Sequence, residues 1–378
     1  MKKKSHPISH KNGQSGVAAV ITAICIAVFL GIAAIAIDIG YMMVTRNELQ
    51  NIGDAAALAG ARRLGTIYVG DGYGELGLSA LEQQNYVCDS TDIAKIKLAA
   101  KNVALQNWAG GKENITINDS DILIGTWILE TFTPTTNHPN AVQVTARRDD
   151  NANGPISTFF AKIFNIDLVP VRASAIAALT SRSTSPPGGL PIPIALSTCW
   201  FLDPNFCGED IVFYPTKDSQ AGWHCYEDWP CASAKINQIL NDLIIDPNLS
   251  TEQETVVGET EFVFTGGDLG QSAFGDMEVL FDNCRVLNDG KIDMDQDTNT
   301  WTTSVAVYDP AKDCDGTYNP SGNLVILGFA TVILRGVESP SDPNAQRIVA
   351  YIECGLSASG RGSGGYFGTL GSVPGLVE

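Results

Sequence analysis

The stretch Gly16–Ile37 reads GVAAVITAICIAVFLGIAAIAI and contains 22 residues without a charged side chain. As an α-helix with a rise of about 1.5 Å per residue, it is about 33 Å long, which matches a bilayer hydrocarbon core of about 30 Å. A helix that is apolar on every face over this length is typical of a membrane span rather than of a soluble core. The stretch therefore predicts one transmembrane helix, with the lipid bilayer as its partner.

A cleavable secretory signal is the alternative interpretation of this segment. Such signals have an apolar region of about 7–15 residues that ends in a small-x-small cleavage site. The residues Ala33-Ala34-Ile35-Ala36 resemble such a site, but the apolar pattern continues through them to Ile37. The length and continuity of the run favour an uncleaved anchor.

The charges around the span predict its orientation. Four lysines precede it, while the far side opens with Asp38, and residues 1–37 contain no acidic side chain. The positive-inside rule then places the basic segment 1–15 in the cytoplasm and the bulk of the chain outside it. In a bacterium this arrangement corresponds to a single-pass protein of the inner membrane.

The body of the protein is strongly acidic. The chain carries 24 basic and 42 acidic residues, and four of the basic residues lie before the span. A body of this charge is repelled by nucleic acid, so nucleic acid is excluded as an expected partner. Solubility is the favoured explanation of the charge, and cation binding is the alternative.

The helical pattern continues beyond the span. One stripe at alternating steps of three and four residues consists of Met42, Thr45, Leu49, Ile52, Ala56 and Ala59. Its second half is small, so another element can approach closely. The stripe packs either on the chain's own globular part, which is favoured, or on helices of other subunits. Gly65 is the expected stop, so the predicted stem helix covers residues 16–64.

Residues Gly13 to Ala61 resemble the N-terminal segment of the Tad (tight adherence) pilus-assembly proteins of the TadE/TadG-like family. The resembling features are, in order, Gly13-Gln14-Ser15-Gly16, Asp38-Ile39-Gly40, Arg46-Asn47-Glu48-Leu49-Gln50-Asn51 and Asp54-Ala55-Ala56-Ala57-Leu58-Ala59. The resemblance implies a pilin-like stem helix and a role with a Flp-type pilus system. It also implies other Tad pilus-assembly or pilin-like proteins as partners. A later AVQV strand and the pair Phe159-Phe160 resemble the family more weakly.

Two features depart from the family pattern. Members that are processed like prepilins resemble G-x-x-x-x-E, and counting from Gly13 the acidic position is Ala18. Without that carboxylate, we expect residues Lys2 to Gly13 to stay attached. Larger TadG-like members also carry a von Willebrand A domain with a D-x-S-x-S metal site, and this motif does not occur in the sequence.

The remaining chain predicts an α+β fold. Residues 65–184 indicate a mixed α/β region, with a helix over Ile93–Trp108, strands over Ile122–Glu130, Ala141–Arg148 and Val169–Leu179, and a short helix over Pro155–Phe164. Ser181–Pro193 is rich in Ser, Pro and Gly and predicts an exposed linker. Residues 185–354 predict a β-rich extracytoplasmic domain with one helix, Ala232–Ile245. The glycine-rich residues 355–378 predict a tail.

The cysteines predict disulfides. Cys25 lies in the apolar span, and the other eight follow it, on the side expected to be oxidising. Many pairings are open, although Cys199 with Cys207, and Cys225 with Cys231, are close enough to close short loops. The candidate disulfide cysteines are Cys199, Cys207, Cys225, Cys231, Cys284 and Cys314.

No catalytic motif is found in the sequence, so we expect no enzyme. The G-x-S-x-G elbow, the P-loop, the G-x-G-x-x-G fingerprint and H-E-x-x-H are absent. One acidic cluster carries oxygen ligands at alternating positions, which suits a calcium loop: Asp293, Asp295, Asp297 and Asn299. The cluster lacks the glycine and the closing glutamate of an EF-hand, and a solvated acidic turn is the favoured interpretation. Calcium is thus the one candidate cofactor.

The sequence leaves three functions to compare. The favoured one is a membrane-anchored structural or assembly component of a Tad-type Flp pilus system. The alternative is an adhesin or binding module displayed on a pilin-like stalk. An anchored extracytoplasmic enzyme is the third, and no residue pattern supports it.

Overall fold

A single helix dominates the first part of the molecule. The computed structural model describes residues 14–213, 221–266, 269–284, 293–295, 300–310, 314, 320–342 and 345–377. Helix α1 runs without a break over Gln14–Val69, 56 residues. The side chains of residues 17–33 are all exposed. Within the described ranges, α1 is the one helix whose length and apolar composition would allow it to cross a membrane.

In the first half of the chain, a small sheet and helix α3 pack against the second half of α1. Its elements are α2 (Ala80–Gln84), α3 (Ser90–Ala104), β1 (Trp108–Ala109), β2 (Lys112–Glu113), β3 (Ile122–Ile128), β4 (Thr131–Pro134), β5 (Ala141–Arg148), β6 (Ile156–Ser157), β7 (Leu168–Val169) and β8 (Val171–Ala178). Strands β4, β3, β5 and β8 are neighbours in that order, and all of these pairs are antiparallel. Strand β5 has the predicted bounds because alternate side chains of AVQVTARR face the core.

The stem packs on this sheet through small and branched side chains. Leu49, Ile52 and Leu64 of α1 are buried with Ile96 of α3 and Val144 of β5 in one core. Two glycines allow the close approach: a Cβ at Gly53 would lie 3.5 Å from Ala175 Cβ, and one at Gly60 would lie 3.0 Å from Val142 Cγ1. One face of α1 packs against α3 and the sheet, so this part of the helix belongs to the core of the folded region.

The second half of the chain is a larger sheet that is covered by two helices. Its elements are β9 (Thr184–Ser185), β10 (Ile194–Ser197), β11 (Asp210–Phe213), β12 (Ala221–Trp223), α4 (Ser233–Ile245), β13 (Thr255–Val256), β14 (Glu261–Thr265), α5 (Gln271–Cys284), β15 (Asp293–Asp295), β16 (Thr300–Tyr308), β17 (Ser321–Glu338) and β18 (Arg347–Glu353). The sheet order is β11-β18-β17-β16-β10-β12, and β14 and β15 also pair with β17 and β16. Only the β10–β16 pair is parallel among the pairs of this described sheet. The α+β fold class is confirmed.

Helix α5 was not predicted, although its sequence has a helical period. Its buried residues are Ala273, Phe274, Met277, Leu280, Phe281 and Cys284. These positions recur at steps of three and four, which is one face of a helix. Gly275 and the acidic residues of the exposed face conceal the pattern in a short window.

The predicted linker is wrong in one respect: the segment Ser181–Pro193 is not an exposed connector. Leu190 and Ile192 belong to the core of the second half, and Ser185 is fully buried in strand β9, which pairs with β13. Arg182 is buried as well. Its guanidinium donates to Thr184 O at 2.8 Å, Ser185 Oγ at 2.7 Å and Ser304 Oγ at 3.1 Å. Polar residues of this segment that were expected to be solvent-exposed instead accept hydrogen bonds from the buried guanidinium of Arg182.

The glycine-rich C-terminal segment is not a tail. It forms β19 (Ser357–Arg361), β20 (Leu370–Val373) and β21 (Gly375–Leu376). Strand β21 pairs with β8 and becomes an edge of the first sheet. The glycines permit close packing, because a Cβ at Gly371 would collide with Arg361 O. Composition alone predicted flexibility where the fold uses glycine for proximity.

The stem helix ends later than predicted. Gly65 was expected to stop it, but α1 continues to Val69. At Gly65 the backbone of Ser372 crosses the helix so closely that a Cβ would overlap the Ser372 carbonyl. This glycine therefore serves a crossing of two backbones, which a helix-stop rule cannot distinguish from a C-cap.

Candidate functional site

Asp38, the first charged residue after the apolar run, is bound to a distant part of the chain. Its carboxylate accepts the backbone N–H groups of Phe159 at 2.7 Å, Phe160 at 3.0 Å and Ala161 at 2.6 Å. The side chain is buried by this contact, with 4% exposure. Asp38 thus caps the 3₁₀ helix Ala161–Phe164 from another element, since Phe160 provides no side-chain cap of its own.

This contact explains why the predicted helix Pro155–Phe164 is wrong. Residues Ile156–Ser157 instead form β6, which pairs with β7 at Leu168–Val169. Regular helix begins only at Ala161, where the Asp38 carboxylate satisfies the free N–H groups. We call residues 156–169 the apolar hairpin.

A second set of contacts holds the base of the hairpin to the stem. Glu48 of α1 accepts the backbone N–H of Gly110 at 2.7 Å. Arg148 at the end of β5 donates to the carbonyls of Ala109 at 2.6 Å, Gly110 at 2.9 Å and Gly154 at 2.8 Å. Burial lowers the pKa of Arg148, and backbone carbonyls hold its guanidinium in place. The stem, the loop at residues 109–110 and the hairpin base thus form one unit.

The stripe on the stem is occupied by the chain itself. Thr45, Leu49, Ile52 and Ala56 are buried, and the last three belong to the core that α1 shares with α3 and the sheet. Its flanking polar residues also serve this contact: Gln50 donates to Asp54 Oδ1 at 2.7 Å and to Ser174 O at 3.2 Å. The favoured alternative for the stripe, packing on the chain's own globular part, is the one that the structure contains.

Three disulfides lie in the second half. They join Cys199 to Cys314, Cys207 to Cys354, and Cys225 to Cys231, with Cα–Cα distances of 5.7, 5.5 and 5.4 Å. The short loop of Cys225 and Cys231 matches the sequence suggestion, whereas Cys199 and Cys207 each pair across more than 100 residues instead of with each other. Sequence proximity could not indicate these pairs because the sheet brings them together.

Cys284 is a correction to the set of candidate disulfide cysteines, and Cys354 is an omission from it. Cys284 ends the buried face of α5 and is fully enclosed by the core, and it takes part in none of the three disulfides. Cys88 is likewise a buried thiol in the first half. Helix α5 places the Cys284 thiol among the apolar side chains of the core of the second half.

The calcium-loop candidates lie outside what the structure describes. Asp297 and Asn299 fall on residues that are not described, and the side chains of Asp293 and Asp295 are not described either, although their backbone forms strand β15. Among the described residues, no group of three or more His, Cys, Asp or Glu side chains could hold a metal ion. The calcium loop stays a prediction.

A cleft of about 420 Å³ lies between the two halves. Its lining includes Tyr68 at the end of α1, Gly188 and Gly189 of the connecting segment, Thr303 of β16 and Ser357 of β19. Glu82 is the one acidic side chain in that lining, and it accepts the Ser79 N–H at 2.9 Å in a helix cap. The cleft lining thus supplies a surface between the halves and no paired acid and base.

Asp38 and the pair Phe159-Phe160 are separate features of the sequence, and no local pattern connects them. The signal for Asp38 was a lone carboxylate at the boundary of an apolar run, a position where an unpaired charge is costly. Nothing in the linear sequence indicated that its partner would be a hairpin 121 residues later, because the partner atoms are backbone N–H groups.

Comparison with known proteins finds two similarities in the region that contains this site. A family model described as Flp pilus-assembly TadE/G-like matches residues 16–63. A second, described as Tad-like Flp pilus-assembly, matches residues 83–177. No curated protein and no solved structure matches the chain. The two matches cover the stem and the sheet and hairpin that pack on it, so these two parts of the chain are similar to Tad-like Flp pilus-assembly proteins.

Proposed function

We propose that this protein is a structural or assembly component of a Tad-type Flp pilus system, anchored in the bacterial inner membrane by residues 16–37. Residues 1–15 lie in the cytoplasm, and both halves of the folded region lie outside it. The partners are other Tad pilus-assembly or pilin-like proteins. The chain has no enzymatic role in this proposal.

One observation carries the proposal: α1 is a single helix with two environments. Its first part exposes apolar side chains on every side, and its second part is buried in the core of the folded region. No loop separates the two parts, because helical hydrogen bonding continues through Asp38. Such a stem holds a folded body at a fixed position against the bilayer.

The disulfides support the orientation. All six bonded cysteines lie beyond residue 190, on the side that the four lysines assign to the exterior. Disulfides persist in oxidising compartments outside the cytoplasm. Lysines in front of the span and disulfides behind it favour the same topology.

Membrane fractionation of the full chain tests the anchor. Wild-type protein should stay in the carbonate-washed pellet, and protease added to spheroplasts should degrade the region after α1. Substitution of Ile26→Arg with Ala27→Arg should release the protein, since each central arginine costs about 2.5–3.5 kcal/mol in the bilayer. The pair Ile26→Leu with Ala27→Leu is the matched control. A wild-type protein that washes out would overturn the anchor.

Pilus counts test the assembly role. A strain that lacks the chain should lose surface Flp pili and regain them with the wild type and the leucine control, but not with the arginine pair.

Mass spectrometry of the membrane-bound protein should find Lys2–Gly13 still attached, because Ala18 replaces the expected glutamate. A chain that begins at Gln14 in sheared pili would make the protein a fibre subunit, and protease shaving of the folded region from intact cells would favour the displayed adhesin.

A further inference from the structure

The apolar hairpin exposes an unusual group of large side chains. Phe159 is 61% exposed, Ile163 78% and Phe164 65%. The hairpin's other exposed apolar residues are Phe160, Ile166 and Leu168. Single exposed apolar residues are ordinary, but a contiguous group of aromatic and branched side chains marks a surface that is covered in use.

The position of this group is fixed by the stem. Asp38 follows the apolar run directly, and its carboxylate holds the hairpin tip through three hydrogen bonds of 2.6–3.0 Å. The ring of Phe159 also packs edge-on against Tyr41, with centroids 5.4 Å apart. Ala34, one turn earlier on the same helix face, is partly buried while residues 31–33 and 35–37 are exposed. The covered face of α1 therefore extends one turn into the apolar run.

Several polar groups of the hairpin form hydrogen bonds within the protein, as a segment that enters lipid requires. Thr158 donates its N–H to Asp167 O at 3.0 Å and its hydroxyl to Ile166 O at 2.5 Å. Within the tip, the N–H groups of Ile163, Asn165 and Ile166 donate to carbonyls at 3.0–3.2 Å. Non-helical backbone enters lipid only when its polar groups find such partners, and Asp38 and the hairpin supply them for these N–H groups.

We propose that the apolar hairpin is a second membrane contact, which inserts into the outer leaflet of the bilayer beside the span. This inference rests on the proposed anchoring by residues 16–37. The exposed surface of the hairpin meets the exposed apolar surface of α1, so one lipid phase covers both. Lys162 is the hairpin's one basic residue, and its long side chain can reach lipid phosphates while its stem stays among apolar groups. Span and hairpin together fix the tilt and depth of the folded region.

Spin labelling of the full chain in vesicles of phosphatidylethanolamine and phosphatidylglycerol tests this contact. A Cys25→Ala background receives Ile163→Cys or Ile166→Cys, and the buried thiols of Cys88 and Cys284 stay unlabelled in folded protein. Leu76→Cys is the matched control, because Leu76 is also 78% exposed. Leu76 lies in the loop after Val69, the last residue of α1. Val69 is about 47 Å along the helix from Asp38, so the control site is far from the hairpin.

Labels at residues 163 and 166 should collide readily with oxygen and be shielded from a water-soluble nickel chelate, and the label at residue 76 should show the opposite order. Vesicle flotation in the same samples separates the two proposals. Protein that floats while the chelate reaches residue 163 as easily as residue 76 overturns the hairpin contact alone. Protein that does not float overturns the anchor and the contact together. Shielding at 163 from both reagents would mean cover by protein, such as a second copy, and would also overturn the lipid contact.

Discussion

Gly65 of the stem helix lies directly under the carbonyl oxygen of Ser372, 307 positions later in the chain. That oxygen accepts a hydrogen bond from Arg62 Nη1 at 3.1 Å, one turn earlier on the same helix. A methyl group at residue 65 would overlap it. The pair joins the family-matched stem to the glycine-rich segment that composition had marked as a tail.

Substitution of Gly65→Ala should therefore destabilise the protein, although alanine is normally the better helix former. Separation of the two backbones should cost about 1–3 kcal/mol, the usual range for overpacking. Thermal unfolding of the full chain in detergent measures the loss. Gly40→Ala is the matched control and should be neutral or stabilising, because no atom of another described element lies within 4 Å of its added Cβ. Equal stability of the two variants would contradict the close crossing.

Substitution of Asp38→Asn should loosen the hairpin tip. An amide oxygen cannot replace a carboxylate that accepts three N–H groups, and an unsatisfied donor costs about 1–3 kcal/mol. Hydrogen exchange at Phe159, Phe160 and Ala161 should rise by about tenfold or more.

Asp71→Asn is the control for that experiment. Its carboxylate accepts the N–H groups of Tyr73, Gly74 and Glu75 at 2.8–2.9 Å in the loop after α1. This variant should raise exchange in that loop and leave the hairpin unchanged. If Asp38→Asn leaves exchange at residues 159–161 unaltered, the carboxylate does not hold the hairpin.

Acid should destabilise the second half through His224. The ring is buried against Tyr226, Phe262 and Phe264, and burial lowers its pKa to about 3 from an ordinary 6.5. Below about pH 6.5, His224 therefore binds a proton in the unfolded chain but stays neutral in the folded chain. The contribution of the neutral ring is complete above that pH and is lost as pH falls towards 3, at up to about 1.4 kcal/mol per pH unit.

The measurement is the pH slope of the unfolding free energy between about pH 6.5 and pH 4.5. His224→Phe removes the titrating group, so its slope should be shallower than that of the wild type, even though Tyr226 N–H loses its acceptor at His224 Nδ1. Carboxylates titrate in both proteins and cancel in the difference. Equal pH slopes of the unfolding free energy in the two proteins would show that protonation of His224 does not destabilise the folded state.

The long-range disulfides should contribute more stability than the short one. Removal of Cys207–Cys354, which are 147 residues apart, should cost about 5 kcal/mol by chain entropy, against about 2 kcal/mol for Cys225–Cys231, which are 6 apart. Paired Cys→Ser variants and chemical unfolding measure this order. Alkylation of unfolded, unreduced protein should label Cys25, Cys88 and Cys284 only. Labelling of Cys207 or Cys354 would contradict the pairing.

The periodic elements could be predicted from sequence because local patterns determine them. Ala141–Arg148 alternates apolar and polar residues and is a strand with these bounds. The predicted helix Ala232–Ile245 begins one residue later, at Ser233. Each of these segments buries one face, and one buried face is what a period of two or of 3.6 residues records.

The long-range features could not be predicted, for a common physical reason. Gly65 and Asp38 each have a distant partner made of backbone atoms: Ser372 O for Gly65, and the N–H groups at residues 159–161 for Asp38. Backbone atoms occur at every residue and leave no mark in composition. Glycine, serine and proline therefore indicated a flexible linker and tail, where the structure has close crossings and hydrogen-bonded cover.

The β21–β8 pairing has a consequence for biosynthesis. Residues 375–376 complete the edge of a sheet whose other strands end at residue 178. In the proposed topology, the stem and the first sheet emerge early during export, and their last strand and the Ser372 crossing follow only after the disulfide-linked half. The first sheet therefore lacks its β21 edge until the last residues have followed. A chain that stops before that point would leave the stem surface at Gly65 without the Ser372 backbone that covers it.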